Sequence, residues 1–311
     1  MSEKVTAFAP ATSANVAVGF DILGFAIEGL GDKVSVQRRS DKHIIIQSIN
    51  GHADADKLPT IVEKNTAGMV IMAIQQTLGL DFGVDISIDK GIPLGSGLGG
   101  SAASAVAAAV AFNALLSPPL PDEQLIEFAL CGEQVASGQK HGDNVIPCLL
   151  GGLQLTTNLD PIKTISLPIP SVHCTLVHPH MVIETRQARI CLQDPFPLTD
   201  IVKQQAYLAG FLNSLYTQNL QQLQHSLHDV LVEPRRASLI PGFYEVQQAA
   251  LDHGALAASI SGAGPTLFAL SKDQTTADKI GKAMQQVFKQ HQLASDIWLS
   301  PISSQGARII K

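Results

Sequence analysis

Residues 91–104 read GIPLGSGLGGSAAS, and this stretch decides the fold. Val84, Ile86 and Ile88 alternate with polar residues just before it, which predicts a half-buried strand. The Ala-rich run Ala102 to Leu116 just after it predicts a tightly packing helix. Between them, Gly95, Gly97, Gly99 and Gly100 let the backbone turn through positive φ and approach a ligand closely. A helix that starts there offers unpaired amides and the positive end of its dipole, a ready site for an anion. Ser101 and Ser104 sit near the helix start, where a hydroxyl can cap it or reach a phosphate or a metal. No Lys-Ser/Thr pair follows the glycines, so the loop is not a Walker A motif. Gly95, Gly97 and Gly100 match the dinucleotide spacing only through glycine density. A strand-to-helix turn without a ligand is the competing reading of this loop by itself.

Outward from the loop, strands are expected at Val5 to Ala9, Lys33 to Arg38, His43 to Ile49 and Gly151 to Thr157, with helices at Lys64 to Leu78 and Pro121 to Ser137. The chain becomes proline-rich over residues 158–170, which places a boundary between residues 1–160 and 161–311. Beyond it, strands at Val172 to Val177, Ala255 to Ile260 and Thr266 to Leu270 mix with helices. Those helices are expected at Ile201 to Tyr216, Leu220 to Leu231, Gly242 to His253 and Thr275 to His291. The class is α+β.

The 311 residues are 45% hydrophobic and 15% charged, enough for a sizeable core. A net charge of −6, with 21 basic residues spread thinly, excludes the basic stripe of a nucleic-acid binder. Any phosphate site must be built locally. Cys131, Cys148, Cys174 and Cys191 form no C-x-x-C pair and read as buried thiols in a reducing compartment. The start of the sequence has no signal-peptide pattern, and no apolar run is long enough for a membrane span, so a cytoplasmic location is expected.

Two further segments carry polar groups in costly places. Residues 9–25, APATSANVAVGFDILGF, hold Asn15 and Asp21 among small and apolar residues. A carboxylate there must be paired, capping a turn, or facing a ligand. Residues 259–268, SISGAGPTLF, read as a hairpin turn or as a backbone shelf at Gly262 and Gly264 beside a substrate. On the helix after Pro121, Ile126, Ala129, Leu130 and Glu133 share one face, so a carboxylate sits on the buried side. It is either an internal salt bridge or a magnesium ligand. His141-Gly-Asp-Asn144 reads as a helix-exit loop of polar residues. The pairs His178/His180 and His225/His228 read as surface features.

Taken together, APATSAN…GFDILG, PLGSGLGGSAAS, HGDNVIP, EPRRASLIPGF and SISGAGPTLF resemble, in order and wording, the motifs of the GHMP kinase superfamily, and fit its homoserine kinase branch best. The resemblance implies a two-domain GHMP kinase fold: an N-terminal domain like ribosomal protein S5 with a left-handed βαβ crossover, and a ferredoxin-like C-terminal domain. It implies ATP over Pro93, Leu94, Gly95, Ser96, Gly97, Leu98, Gly99, Gly100, Ser101 and Ala102, with Asn65 near the adenosine end. Glu133 and Ser101 would bind Mg²⁺. Gly100 departs from the family, which usually has two serines after the last loop glycine, and Val18 stands where the family often has Pro.

L-Homoserine is a zwitterion, so its ammonium needs a carboxylate and its carboxylate a guanidinium. The resemblance assigns Asp21 and Asn15 to the first role and Arg189 and Arg236 to the second, with Arg186 and Arg235 as sequence neighbours that compete for the assignment. Thr185, His141, Gly262 and Gly264 complete the pocket. Asn144 would orient the hydroxyl, and the adjacent Asp143 is the alternative, as a base. The implied role is threonine biosynthesis in the cytoplasm, with a homodimer expected by analogy. The rivals are a mevalonate-type kinase, a diphosphomevalonate decarboxylase on the same fold, and a non-catalytic ligand sensor.

Overall fold

The computed structural model describes residues 4–52, 54–138 and 140–310. In chain order the first half runs β1 (Lys4–Ala14), β2 (Leu23–Arg38), β3 (Ile44–Gly51), α1 (Thr66–Leu78), β4 (Val84–Lys90), α2 (Gly100–Asn113), α3 (Asp122–Ser137) and α4 (Gly142–Leu150). Next come β5 (Leu153–Leu159), β6 (Ile162–Leu167), β7 (His173–Pro179), α5 (Thr185–Ile190), α6 (Leu198–Thr217), α7 (Leu220–Ser226) and α8 (Glu233–Arg236). The chain continues through α9 (Phe243–Asp252), β8 (Ala257–Ile260), β9 (Leu267–Ser271), α10 (Gln274–Gln290), β10 (Ser295–Pro301) and β11 (Arg308–Ile309).

Two sheets organise these elements. The first has seven strands in the order β11-β1-β2-β4-β3, with β5 on β2 and β6 on β5. The long β2 forks: Leu23 to Phe25 pair with β5, while Lys33 to Arg38 pair with β4. β3 and β4 are parallel and joined through α1, as a βαβ unit requires; every other pair is antiparallel. The second sheet has the order β10-β7-β9-β8, all antiparallel. Numbered from β7, that is 4-1-3-2, the ferredoxin-like order that the resemblance implies. Helices α5 to α8 are inserted between β7 and α9.

Helix α2 is apolar on every side and accordingly buried on every side, from Ala102 to Ala109 and at Ala111 and Phe112. Its alanines allow α1, α3 and the sheet to approach closely. α1 is capped by Asn65, whose side chain accepts from the amides of Ala67 and Gly68, and ends on a left-handed Gly79. α10 buries Ala277, Ile280, Gly281, Met284 and Phe288 along one stripe and is capped by Asp273.

Several elements differ from the sequence reading. Residues 142–150 form helix α4 rather than an exit loop. Gly142 and Pro147 hid it, since Pro147 has no N–H for the Asp143 carbonyl. That carbonyl lies against Gly24, where a Cβ would come within 1.8 Å of it. The helix expected over 220–231 stops at Ser226, because the Asp229 carboxylate takes the amides of Leu231, Val232 and Glu233 and starts α8. His178 is buried, 4% exposed, with Nδ1 3.1 Å from Thr266 Oγ1, so it is not a surface histidine. Its place on β7, which is sandwiched between β9 and β10, explains the burial.

Candidate active site

The glycine-rich loop joins β4 to α2 and is fixed from outside. The carbonyls of Gly95, Ser96, Gly97 and Leu98 accept from Ile183 N, Thr266 N, Ser261 Oγ and Thr12 N. Both sheets therefore hold the loop. Gly97 (φ 79°) and Gly99 (φ 68°) are in the left-handed region. A Cβ on Gly97 would lie 2.4 Å from the Ser261 carbonyl, and one on Gly99 2.2 Å from Thr12 Oγ1. Glycine is required at both by space and by conformation.

Beneath the loop is a buried ion pair that the sequence reading did not find. Lys90 Nζ is hydrogen-bonded to Asp32 Oδ2, to the Gly100 carbonyl (2.7 Å) and to Ser104 Oγ (2.9 Å). Ser104 Oγ donates to Asp32 Oδ2 at 2.7 Å, and Asp32 Oδ1 accepts from the amides of Gly91 (3.0 Å) and Ile92 (3.2 Å). The pair thus ties the chain entering the loop to the first turns of the helix leaving it.

Ser101 Oγ donates to Glu133 Oε2 at 2.7 Å. Burial pushes Glu133 up to about 7; the Ser101 bond and the charge of Lys90 oppose that rise. Asp143, in the first turn of α4, is also pushed up to about 7, first by burial and then by the nearby Asp21 and Glu133. Among the described residues no group of three or more His, Cys, Asp or Glu side chains converges as a metal centre. Glu133 and Ser101 supply two oxygens side by side, which suits a magnesium ion completed by phosphate oxygens.

A second cluster faces the same space from helices α5 and α8, the start of α4, the turn after β8 and the 15–21 turn. Arg189 Nη2 donates to Asp21 Oδ1 at 2.6 Å and lies 3.2 Å from His141 Nδ1. Asn15 Nδ2 and Arg236 Nη1 both donate to the Gly262 carbonyl, at 2.8 and 3.0 Å, and Arg236 Nε donates to the Ala188 carbonyl at 3.1 Å. The Phe20 ring lies 5.4 Å from the Arg189 guanidinium and 5.3 Å from that of Arg236. Burial, then the charge of Arg189, lowers the proton affinity of His141. The turn carrying Asp21 has positive φ at Asn15, Val16, Ala17 and Asp21 (70°, 48°, 56° and 63°). Such backbone is strained, above all at β-branched Val16, and is held by the fold around it.

These groups line one cavity of about 380 Å³. It brings together Asn15, Asp21, Asn65, Gly95, Ser101, Glu133, His141, Asn144, Thr185, Arg189, Arg236 and Gly262, with the rest of the loop from Pro93 to Gly100 except Leu98. Leu98 and Ala102 instead point into the core, both fully buried. Gly264 lies under the loop, its carbonyl 2.7 Å from where a Gly97 Cβ would be. The Asn65 side chain is committed to capping α1 and to the Pro59 carbonyl, so it shapes the wall. Arg235 turns away, bonded to the Asp194 and Pro195 carbonyls and stacked 3.6 Å from the Phe196 ring; Arg186 lines a neighbouring hollow. Lys90, Asp143, Ser104 and Phe20 also line the cavity. Among the described residues, Ser96 Oγ, Arg189 Nε, His141 Nε2 and Asp143 Oδ1 are buried without a hydrogen-bond partner, four polar atoms of residues lining one cavity that a polar ligand would satisfy.

Known proteins resemble the chain over its whole length. The GHMP kinases N terminal domain matches residues 65–152, and the GHMP kinases C terminal domain residues 212–290. The homoserine kinase of Xylella fastidiosa (strain M12) is 47% identical over 309 residues, 99% of this chain and 95% of that protein. That of Chlorobium phaeobacteroides (strain BS1) is 42% identical over 321 residues, 99% and 100% of the two chains. Among solved structures, a homoserine kinase from Cytophaga hutchinsonii superposes with a TM-score of 0.95 at 42% identity, covering 100% of this chain and 98% of that one. The L. major mevalonate kinase in complex with R-mevalonate shares the fold, with a TM-score of 0.72 at 16% identity and 97% of each chain covered.

Proposed function

We infer the activity of this chain from a family to which it plainly belongs, the GHMP kinases, and from the charges in its cavity. It transfers the γ-phosphoryl group of ATP to the hydroxyl of L-homoserine and yields O-phospho-L-homoserine for threonine biosynthesis. The observation that carries this reading is the placement of one carboxylate, Asp21, and two guanidinia, Arg189 and Arg236, opposite the phosphate loop and its Glu133–Ser101 pair. A zwitterionic alcohol uses all of them. Mevalonate has no ammonium, and galactose has neither charge.

Phosphoryl transfer is mostly positioning and charge stabilisation. The amides at the start of α2 face the phosphates, with residues 1–160 supplying this half of the site and residues 161–311 the arginines and the Gly262 shelf. Mg²⁺ held by Glu133 and Ser101 would neutralise phosphate charge. Asn144 Oδ1 accepts from Thr12 Oγ1 at 2.7 Å, which fixes the amide and leaves Nδ2 to donate to the substrate hydroxyl oxygen. Asp21 takes the ammonium, and Arg189 with Arg236 takes the carboxylate. The enzyme works in the cytoplasm as a homodimer, which light scattering checks.

The test is ATP consumption with L-homoserine, mevalonate, galactose and L-threonine offered separately. Turnover with L-homoserine well above the other three is expected. Preference for mevalonate, or tight ATP binding with no turnover of any alcohol, would overturn the reading.

A further inference from the structure

The two side chains assigned to opposite ends of the substrate are bonded to each other. Arg189 Nη2 donates to Asp21 Oδ1 at 2.6 Å. The side chains are 25% and 33% exposed, so the pair is reachable from the cavity and not part of the core. His141 Nδ1 lies 3.9 Å from the same Asp21 oxygen, and burial with the charge of Arg189 lowers its proton affinity. Arg236 has no carboxylate within ion-pair distance among the described residues. Of the three charged groups, two are therefore engaged with each other and one is held by carbonyls.

Any ligand that takes Arg189 must compensate Asp21. A zwitterion does so: its carboxylate takes the guanidinium, its ammonium takes the carboxylate, and one ion pair becomes two. A monoanion takes the guanidinium and leaves Asp21 unpaired, facing Asp143 and Glu133, the two other acids of the cavity. Neither can move far to relieve this. Asp21 is fixed by the left-handed turn and by its amide bond to Asn15 Oδ1 at 3.0 Å, and Arg189 is held against Phe20 beside Arg236.

We propose that the Asp21–Arg189 pair is a specificity latch, closed in the free protein, which opens for zwitterions and rejects carboxylates that lack an ammonium. Asp21 then acts twice: it attracts the right ligand and it withholds Arg189 from the wrong one, a repulsive element in the sense of specificity built by exclusion. This rests on the homoserine reading of the site.

The experiment is calorimetric titration of the whole protein, with Mg-ADP present, using L-homoserine and 4-hydroxybutyrate, which is homoserine without its amine. Asp21→Asn keeps the shape and suits a positive φ, since Asn adopts the left-handed region readily. L-Homoserine is expected to bind Asp21→Asn at least about tenfold more weakly than wild type. 4-Hydroxybutyrate is expected to bind Asp21→Asn about fivefold more tightly, a modest gain because the pair is partly solvated. Asp21→Ser, if Asn fails to fold, is expected to move the two affinities in the same opposite directions. Unchanged or weaker 4-hydroxybutyrate binding to the variants overturns the latch even when wild type binds homoserine. Failure of wild type to bind homoserine overturns the substrate reading instead, and with it the latch as a homoserine device.

Discussion

Removing the buried partner of Lys90 should be among the costliest single changes in this protein. Asp32 is fully buried and the Lys90 side chain is 2% exposed. The Asp32 carboxylate accepts four hydrogen bonds, from Lys90, Ser104 and the amides of Gly91 and Ile92. Breaking a buried pair by deleting one partner costs about 3–5 kcal/mol, because the other charge is left uncompensated. Lys90→Met should fall near the low end, about 3 kcal/mol, since Asp32 keeps Ser104 and two amides. Asp32→Leu should reach about 5 kcal/mol or more: it strands an ammonium and also orphans two backbone donors worth roughly 1–3 kcal/mol each. The double variant removes both charges and should cost clearly less than the sum, a coupling of at least about 2 kcal/mol. Urea unfolding of the four proteins reads this as midpoint shifts at unchanged slope. The KM for ATP in the folded variants reports on the loop that the pair ties down. Lys90→Met within about 1 kcal/mol of wild type, or singles that simply add, would refute the clasp.

Two further outcomes follow from the acids beside the loop. Burial holds Glu133 and Asp143 at about 7, above their ordinary values of 4.5 and 3.8, so the folded protein keeps protons that the unfolded chain gives up. Stability of the ligand-free protein should therefore fall as pH rises from about 4 to about 7 and level off above. Glu133→Gln should flatten part of that fall, read as Tm against pH, while abolishing most activity; an unchanged Tm profile contradicts it. Asp143→Asn should lower kcat by less than about tenfold, against at least about a hundredfold for Glu133→Ala, if Asn144 orients the hydroxyl and no dedicated base is used. Equal losses would make Asp143 the base.

What the sequence disclosed and withheld divides along local and distant spacing. The loop glycines, the Ala run of α2, and Glu133 in register with Ile126, Ala129 and Leu130 are local patterns, and each states a physical demand that the structure meets. Asp21 was legible as a cost, a carboxylate between Phe20 and Ile22, though not its partner, 168 residues away. Asp32 and Lys90 are 58 residues apart at strand positions whose polar neighbours look equally solvent-facing, so nothing local marked them as a pair. β6 lay hidden in the proline-rich stretch, and β11 is two residues long, too short for any period. Helix α4 was masked by the same proline that frees the Asp143 carbonyl to pack on Gly24.

The edge strand β11 has a consequence for the order in which the molecule is made. It pairs Arg308 and Ile309 with Phe8 and Ala7, and the segment before it crosses β2 through a bridge between Ile302 and Ile27. The ribosome delivers residues 7 and 8 some three hundred residues before their outer neighbour. Until then β1 carries an open edge, ready to pair with whatever strand it meets. The nascent first half is thus exposed to mispairing while those three hundred residues are made. A chain released after residue 300 should accordingly be held by chaperones, and one released after residue 310, which completes β11, should not.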